Sequence, residues 1–178
     1  MFHYIEQDSN DKYGSAIPAA LVAPHLKKGD SVAFVAGDAI FHSPDNSSEL
    51  WRLVSATPDG GNSVLSYQVA PEEVDRYGII DFDEDTGAFV RIVEKPPVGQ
   101  APSNQMNTSI YVLNYDMMLR AQNYCQIEVS GEYYITDVVS QAVLDKIPVT
   151  VIPAAGEYLD CGNVHGWLHA NQLIVNRQ

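Results

Sequence analysis

Basic residues are scarce in this chain of 178 residues: ten Lys and Arg stand against 23 Asp and Glu, a formal net charge of −13. Without a basic face there are few counterions to release from a nucleic acid or an anionic bilayer, which argues against both as partners. Long apolar runs are missing too, so no membrane span is expected. The opening MFHYIEQDSND has neither the basic nor the apolar region of a signal peptide. Of the two cysteines, Cys125 and Cys161 lie far apart and form no Cys-x-x-Cys pair, so they read as free thiols of a cytoplasmic protein. The chain also lacks Gly-x-Ser-x-Gly, a Walker sequence and Gly-x-Gly-x-x-Gly. The glycine-rich nucleotide loop that would precede a first helix is therefore absent.

Hydrophobic residues make up 46% and charged residues 19%, values of a folded chain with its own core, and the length suits a single domain over 1–178. YGSAIPAALVAPHL (13–26) reads as a helix opened by Gly14-Ser15, with Pro18 in its first turn. The continuous apolar run of DSVAFVAGD (30–38) predicts a strand buried on both faces. SSELWRLVSAT (47–57) is a capped helix, NSVLSYQVA (62–70) a strand, and YGIIDFDEDTGAFVRIVE (77–94) a hairpin turning at Asp85-Thr86-Gly87. NTSIYVLN (107–114) is a strand followed by a short helix. EYYITDVVSQAVLD (132–145) is helical, and PVTVIPA and EYLDCG are strands. The last helix (164–177) sets Val164, Trp167, Leu168 and Ile174 near one face. Alternating helices and strands with one inserted hairpin predict an α/β fold with a mixed, mostly parallel sheet and helices on both faces. Ligands of such sheets sit beyond the carboxyl ends of the strands, which draws attention to Asp38, Lys95 and Asp160.

Asp38 follows an apolar strand and a glycine. A carboxylate there either holds a hard divalent cation with phosphate oxygens or simply ends the strand in a turn. Asp160 offers the same pair of readings, and the two together suit one or two shared Mg2+ ions. Lys95 stands between Glu94 and two prolines that stiffen the loop. It is either a point charge for a phosphate or half of a solvated ion pair, and Glu94 can accept bonds from sugar hydroxyls. Glu132, Thr136 and Asp137 lie at a helix start, where Thr and Asp also serve as caps. His165 and His169 are spaced i, i+4 without a His-Glu-x-x-His context and read as surface histidines.

Taken in order, these segments resemble the sugar-1-phosphate nucleotidyltransferases, in their bacterial uridylyltransferase branch. EQDSNDKYGSAIPAAL is similar to the family's stretch near the base, which implies Gln7 and Gly14 beside a pyrimidine. VAGDAIF and YLDCGNVHGWLHAN resemble the segments carrying two metal-binding aspartates, here Asp38 and Asp160, with Mg2+ as the implied cofactor. VDRYGIIDFD places Tyr77 and Gly78 against a hexose. VEKPPVGQAPSN is the most specific match, with Glu94 on the sugar and Lys95 on its phosphate. NTSIYVLN and GEYYITDVV resemble the strand and helix that close the sugar pocket, which brings in Asn107, Glu132 and Thr136. The resemblance implies a Rossmann-like nucleotide-diphospho-sugar transferase fold, transfer of a uridylyl group to glucose 1-phosphate, and a nucleotide sugar or sugar phosphate as ligand.

Two departures stand out. The family's first strand, its Gly-x-Gly-x-Arg loop and the following lysine have no counterpart in these residues, so a first βαβ unit is expected to be lacking and activity of the chain alone to be lost or impaired. Asn107-Thr108-Ser109 and Gly162-Asn163 replace the family's usual glycine and threonine. A non-catalytic sugar-nucleotide-binding or assembly module that self-associates into a homo-oligomer is the alternative. A phosphohydrolase built on Asp38 and His42 is a third reading.

Overall fold

The computed structural model describes residues 4–8, 12–43, 47–128 and 131–175. Along them run helix α1 (Ala16–Val22) with a 3-10 turn, strands β1 (Ser31–Val35) and β2 (Ala39–His42), helix α2 (Glu49–Ala56), strand β3 (Ser63–Gln68) and the hairpin β4 (Gly78–Phe82) and β5 (Phe89–Glu94). The long strand β6 (Gln105–Asn114), helices α3 (Tyr115–Tyr124) and α4 (Ile135–Leu144), strands β7 (Thr150–Pro153) and β8 (Glu157–Asp160) and helix α5 (Val164–Val175) follow. The main sheet has the order β5-β4-β6-β3-β7, and β1 lies against the carboxyl half of β6. β1, β3, β4 and β7 run one way, but β6 runs against them at the centre, so β3–β7 is the parallel ladder. The α/β class is as expected; the pairing is mixed rather than mostly parallel, because a single reversed strand in the middle converts its neighbours' ladders to antiparallel ones.

Alternation along the strands divides the core. Val64, Tyr111, Leu113 and Val151 face α1, α3 and α4. Leu65, Ile110, Val112 and Ile152 face Leu53 of α2, so helices cover both faces. β1 departs from its expected burial on both faces. Val32 and Phe34 pack on the core, whereas Ser31, Ala33 and Val35 are exposed, so only one face of β1 is covered. On α5, Val164, Trp167 and Leu168 share a face as expected, but that face is exposed (the side chain of Ile174 lies outside the description). The helix meets the end of β8 at Gly166, against the Asp160 carbonyl, and Ala170 is its buried residue.

Gly14-Ser15 does not open α1 by capping it. Gly14 has φ +133°, and a Cβ there would fall inside the backbone of Tyr133. The Tyr133 N–H donates to the Tyr13 carbonyl (2.9 Å), and the Ala16 N–H to the Tyr133 carbonyl (2.8 Å). The Ser15 hydroxyl accepts the Ile135 N–H at 3.0 Å, satisfying a first-turn donor of α4, the helix that begins at Ile135 rather than at residue 132. The 85–87 turn is as expected, with Asp83 accepting from both the backbone and the hydroxyl of Thr86 at 2.8 Å.

Candidate active site

β2 and β8 form a two-stranded antiparallel ribbon outside the main sheet, in register from Ala39 opposite Asp160 to His42 opposite Glu157. Asp38 sits in the turn that leads from β1 into this ribbon, and its carbonyl accepts the Cys161 N–H at 3.1 Å. The two acids thus meet at one end of a separate ribbon, not on neighbouring strands of the sheet. The point where a Cβ on Gly162 would stand lies 3.1 Å from Asp160 Oδ1 and 3.1 Å from Asp38 Oδ2. The carboxylates face each other across a gap that only glycine leaves open. Asp160 is oriented by the Gly162 N–H (2.9 Å to Oδ1) and the Asn163 amide (3.1 Å to Oδ2). Asn163 in turn accepts the Gly166 N–H at 2.9 Å and starts α5.

Asp38 and Asp160 offer two hard oxygen ligands, a donor set that fits Mg2+. That ion binds through one or two carboxylates and fills its octahedron with water and phosphate oxygens. Zinc would call for a fuller set of side-chain ligands.

The second group of residues comes from the β4–β5 hairpin. Gly78 pairs with Glu94, and a Cβ on Gly78 would stand 2.9 Å from Glu94 Oε1, so the glycine makes room for that carboxylate. Lys95 has φ +45°, a left-handed conformation unusual for a non-glycine residue and doubly so before a proline. Its N–H donates to the Tyr77 carbonyl at 3.0 Å, Pro96 is buried, and its ammonium pairs with no carboxylate among the described residues. Strain of roughly 1–3 kcal/mol, held in place at an exposed cation, is the kind that accumulates at ligand clamps. The AlaProSerAsn segment behind it is a staple. The Ser103 hydroxyl donates to the Ile80 carbonyl (2.6 Å), and the Asn104 carbonyl accepts the Val69 N–H (2.9 Å).

The third wall joins β6 to the start of α4. Asn107 accepts the Tyr111 hydroxyl at 3.0 Å and the Ser109 N–H at 3.1 Å, in a bulge where Ser109 has φ +58°. Burial pushes the Tyr111 hydroxyl far up, and the nearby Glu94 carboxylate adds to this. The Glu132 carboxylate, followed by burial and by Asp137 and Glu94, raises Tyr134 as well. Glu132 precedes α4, and Thr136 is half-buried in the first turn of that helix. Gly14 touches this wall through Tyr133 and is a packing glycine. Gln7 is exposed, its amide donating to the Lys12 carbonyl at 3.3 Å.

An aromatic group ties hairpin to ribbon. Ring centroids are 5.3 Å apart for Phe41–Tyr158, 5.8 Å for Tyr67–Tyr158 and 6.3 Å for Phe41–Tyr67, and Tyr77 packs beside them. Burial, then the charges of Asp160 and Asp38, push Tyr158 up to about 12 from an ordinary 10.0. In the unfolded chain Tyr158 ionises first. Its contribution to stability is whole below pH 10 and is lost as the pH climbs toward 12. Tm is accordingly expected to fall between pH 10 and 12, and Tyr158→Phe to reduce that fall. Tyr124, also raised to about 12 by burial and by its bond to Asp137, accounts for part of what remains. Thermal melts across that range measure both.

The model of the nucleotidyl transferase family matches residues 1–177. The chain belongs to the nucleotidyl transferase family. A glucose-1-phosphate thymidylyltransferase of Mycobacterium tuberculosis is 30% identical over 173 residues, 96% of this chain and 56% of that protein. A UTP–glucose-1-phosphate uridylyltransferase of Staphylococcus haemolyticus is 30% identical over 172 residues, 93% of this chain and 56% of that protein. The solved structure of a UTP-bound UGPase from Acinetobacter baumannii superposes with a TM-score of 0.74 at 27% identity, covering 87% of this chain and 54% of that one. The chain thus spans a little over half the length of these curated relatives.

In this nucleotidyl transferase domain the sequence pattern pointed to most of the acids and to Lys95. It passed over Gly162 and Asn163 as orienting groups for Asp160, over Tyr158, and over Glu49. The Asp-x-Gly-Asn order around Asp160 is a turn signal that points to the first two. Nothing local distinguishes Tyr158 or Glu49: the rings that pack on Tyr158 and the N–H groups of Ala155 and Gly156 that bond Glu49 come from distant parts of the chain.

Proposed function

We propose that this domain takes part in sugar-1-phosphate nucleotidyl transfer, with UTP and glucose 1-phosphate as substrates and UDP-glucose and pyrophosphate as products. The observation that carries this is the convergence of Asp38 and Asp160 over Gly162, beside a hairpin that holds Lys95 in a strained conformation with no carboxylate partner among the described residues. The sugar phosphate oxygen attacks the α-phosphorus in line, and the bond to the departing pyrophosphate breaks. No covalent nucleophile of the protein is needed, so its part is positioning and charge. Bound Mg2+ supplies offsetting charge on the phosphate oxygens. Asp38 and Asp160 hold it, Lys95 fixes the sugar phosphate, and Glu94, Asn107, Glu132 and Thr136 take the hexose with Tyr77 and Gly78 against its face. UTP rather than dTTP is proposed from resemblance alone: Glu94-Lys95-Pro96 with Ala101-Pro102-Ser103-Asn104 downstream is similar to the uridylyltransferase branch of the family.

Lys95→Ala is expected to weaken UDP-glucose binding by roughly tenfold or more, from loss of a charge-assisted contact worth about 1.5–3 kcal/mol. Isothermal titration in Mg2+ measures this, and equal affinity in the variant counts against Lys95.

A further inference from the structure

Glu49 is the first residue of α2, yet it is only 4% exposed. A buried carboxylate is costly unless its oxygens are bonded, and here they are. Oε1 accepts the Gly156 N–H at 2.8 Å and lies 3.4 Å from the Ser43 hydroxyl. Oε2 accepts the Ala155 N–H at 3.2 Å, and the Arg52 guanidinium stands 3.4 Å away. Gly156 is packed so closely that a Cβ there would stand 2.6 Å from Ser43 Oγ and 3.1 Å from Glu49 Oε1. One carboxylate thus clamps together the residue after β2 and the turn before β8.

That clamp closes one end of the ribbon whose other end carries Asp38 and Asp160. Each strand of the ribbon has four residues, and a two-stranded ladder of that length is marginal by itself. Its register decides the site, because a slip of one residue turns every side chain to the opposite face and takes Asp160 away from Asp38. We propose that Glu49 is a positioning residue: by bonding Ala155 and Gly156 it sets the β2–β8 register, and so holds the two carboxylates opposed for a divalent cation. The link to the cation rests on the function proposed above; the link to the register does not.

Two measurements separate them. The first is hydrogen exchange at the Cys161 amide, which bonds the Asp38 carbonyl at the far end of the ribbon from Glu49. The second is Mn2+ affinity, read from the paramagnetic signal of the free ion. Glu49→Gln, close in shape to the native residue, is expected to speed Cys161 exchange at least tenfold and to weaken Mn2+ binding by about 10-fold or more, the usual effect of losing an orienting partner. Glu49→Ala does the same more strongly. Val139→Ala, a cavity beneath α4 away from the ribbon, lowers Tm but leaves Mn2+ affinity unchanged. Faster exchange in a protein that binds no Mn2+ upholds the role of Glu49 in the register and refutes the metal site. Unchanged Cys161 exchange in Glu49→Gln overturns the proposal, whatever the metal does.

Discussion

UDP-glucose at about 100 times its Kd, with Mg2+ present, is expected to raise Tm by about 5–10 °C, and Asp38→Ala to abolish the rise. The size follows from linkage. A ligand at that excess adds about 2.7 kcal/mol to the folded state. A domain of this length gains roughly 2–4 °C for each kcal/mol. The loss in Asp38→Ala follows from geometry, since its carboxylate is one of two that face each other across Gly162. Asp38 is exposed and its side chain supports no helix or strand, so melts without ligand should differ little between wild type and variant. Asp160→Ala is less clean. It also removes the bonds from Gly162 and Asn163 that start α5, and it lowers the ligand-free Tm as well. Chelation of the metal should reproduce the Asp38→Ala result in the wild-type protein. A full shift in Asp38→Ala, or in chelator, refutes the carboxylate pair as the metal site.

Gly14→Ala is expected to destabilise the fold by about 4 kcal/mol or more, a loss exceeding roughly 10 °C in Tm. Two costs add. The backbone at φ +133° belongs to a region that residues with a Cβ scarcely visit, at about 1–3 kcal/mol. The new methyl would also overlap the Tyr133 backbone, so the N-terminal segment has to part from it. That breaks the bonds between Tyr13, Ala16 and Tyr133 and pulls the Ser15 hydroxyl from the first turn of α4. Gly29→Ala is the control: its φ is +98°, but nothing stands within 4 Å of its Cβ position, so it carries the conformational cost alone. Equal losses in the two variants would show that contact with Tyr133 contributes nothing.

Much of the local geometry was legible in the chain itself. The VAGD and YLDCG segments announce carboxylates beside glycines at strand ends, and GluLysProPro announces a stiff loop carrying a cation, because these signals are local: turn residues, apolar runs and spacing. The strands and helices were legible for the same reason. Burial of β1 on both faces was misread, since an apolar run reports what a strand can bury and not which of its faces another element covers. The exposed Trp167 and Leu168 on α5 follow the same rule: a shared helical face needs a partner before it becomes core.

What the sequence by itself determined is therefore the local alphabet: two acids beside glycines at strand ends, one lysine in a stiff loop, and the order of the strands and helices. Tertiary structure alone decided that the acids meet in a separate two-stranded ribbon, that Gly14 serves Tyr133, and that Glu49 on α2 governs the turn before β8. Those are contacts between residues more than a hundred positions apart in the chain, made by packing and backbone register, and no local pattern encodes which distant N–H a buried carboxylate will find.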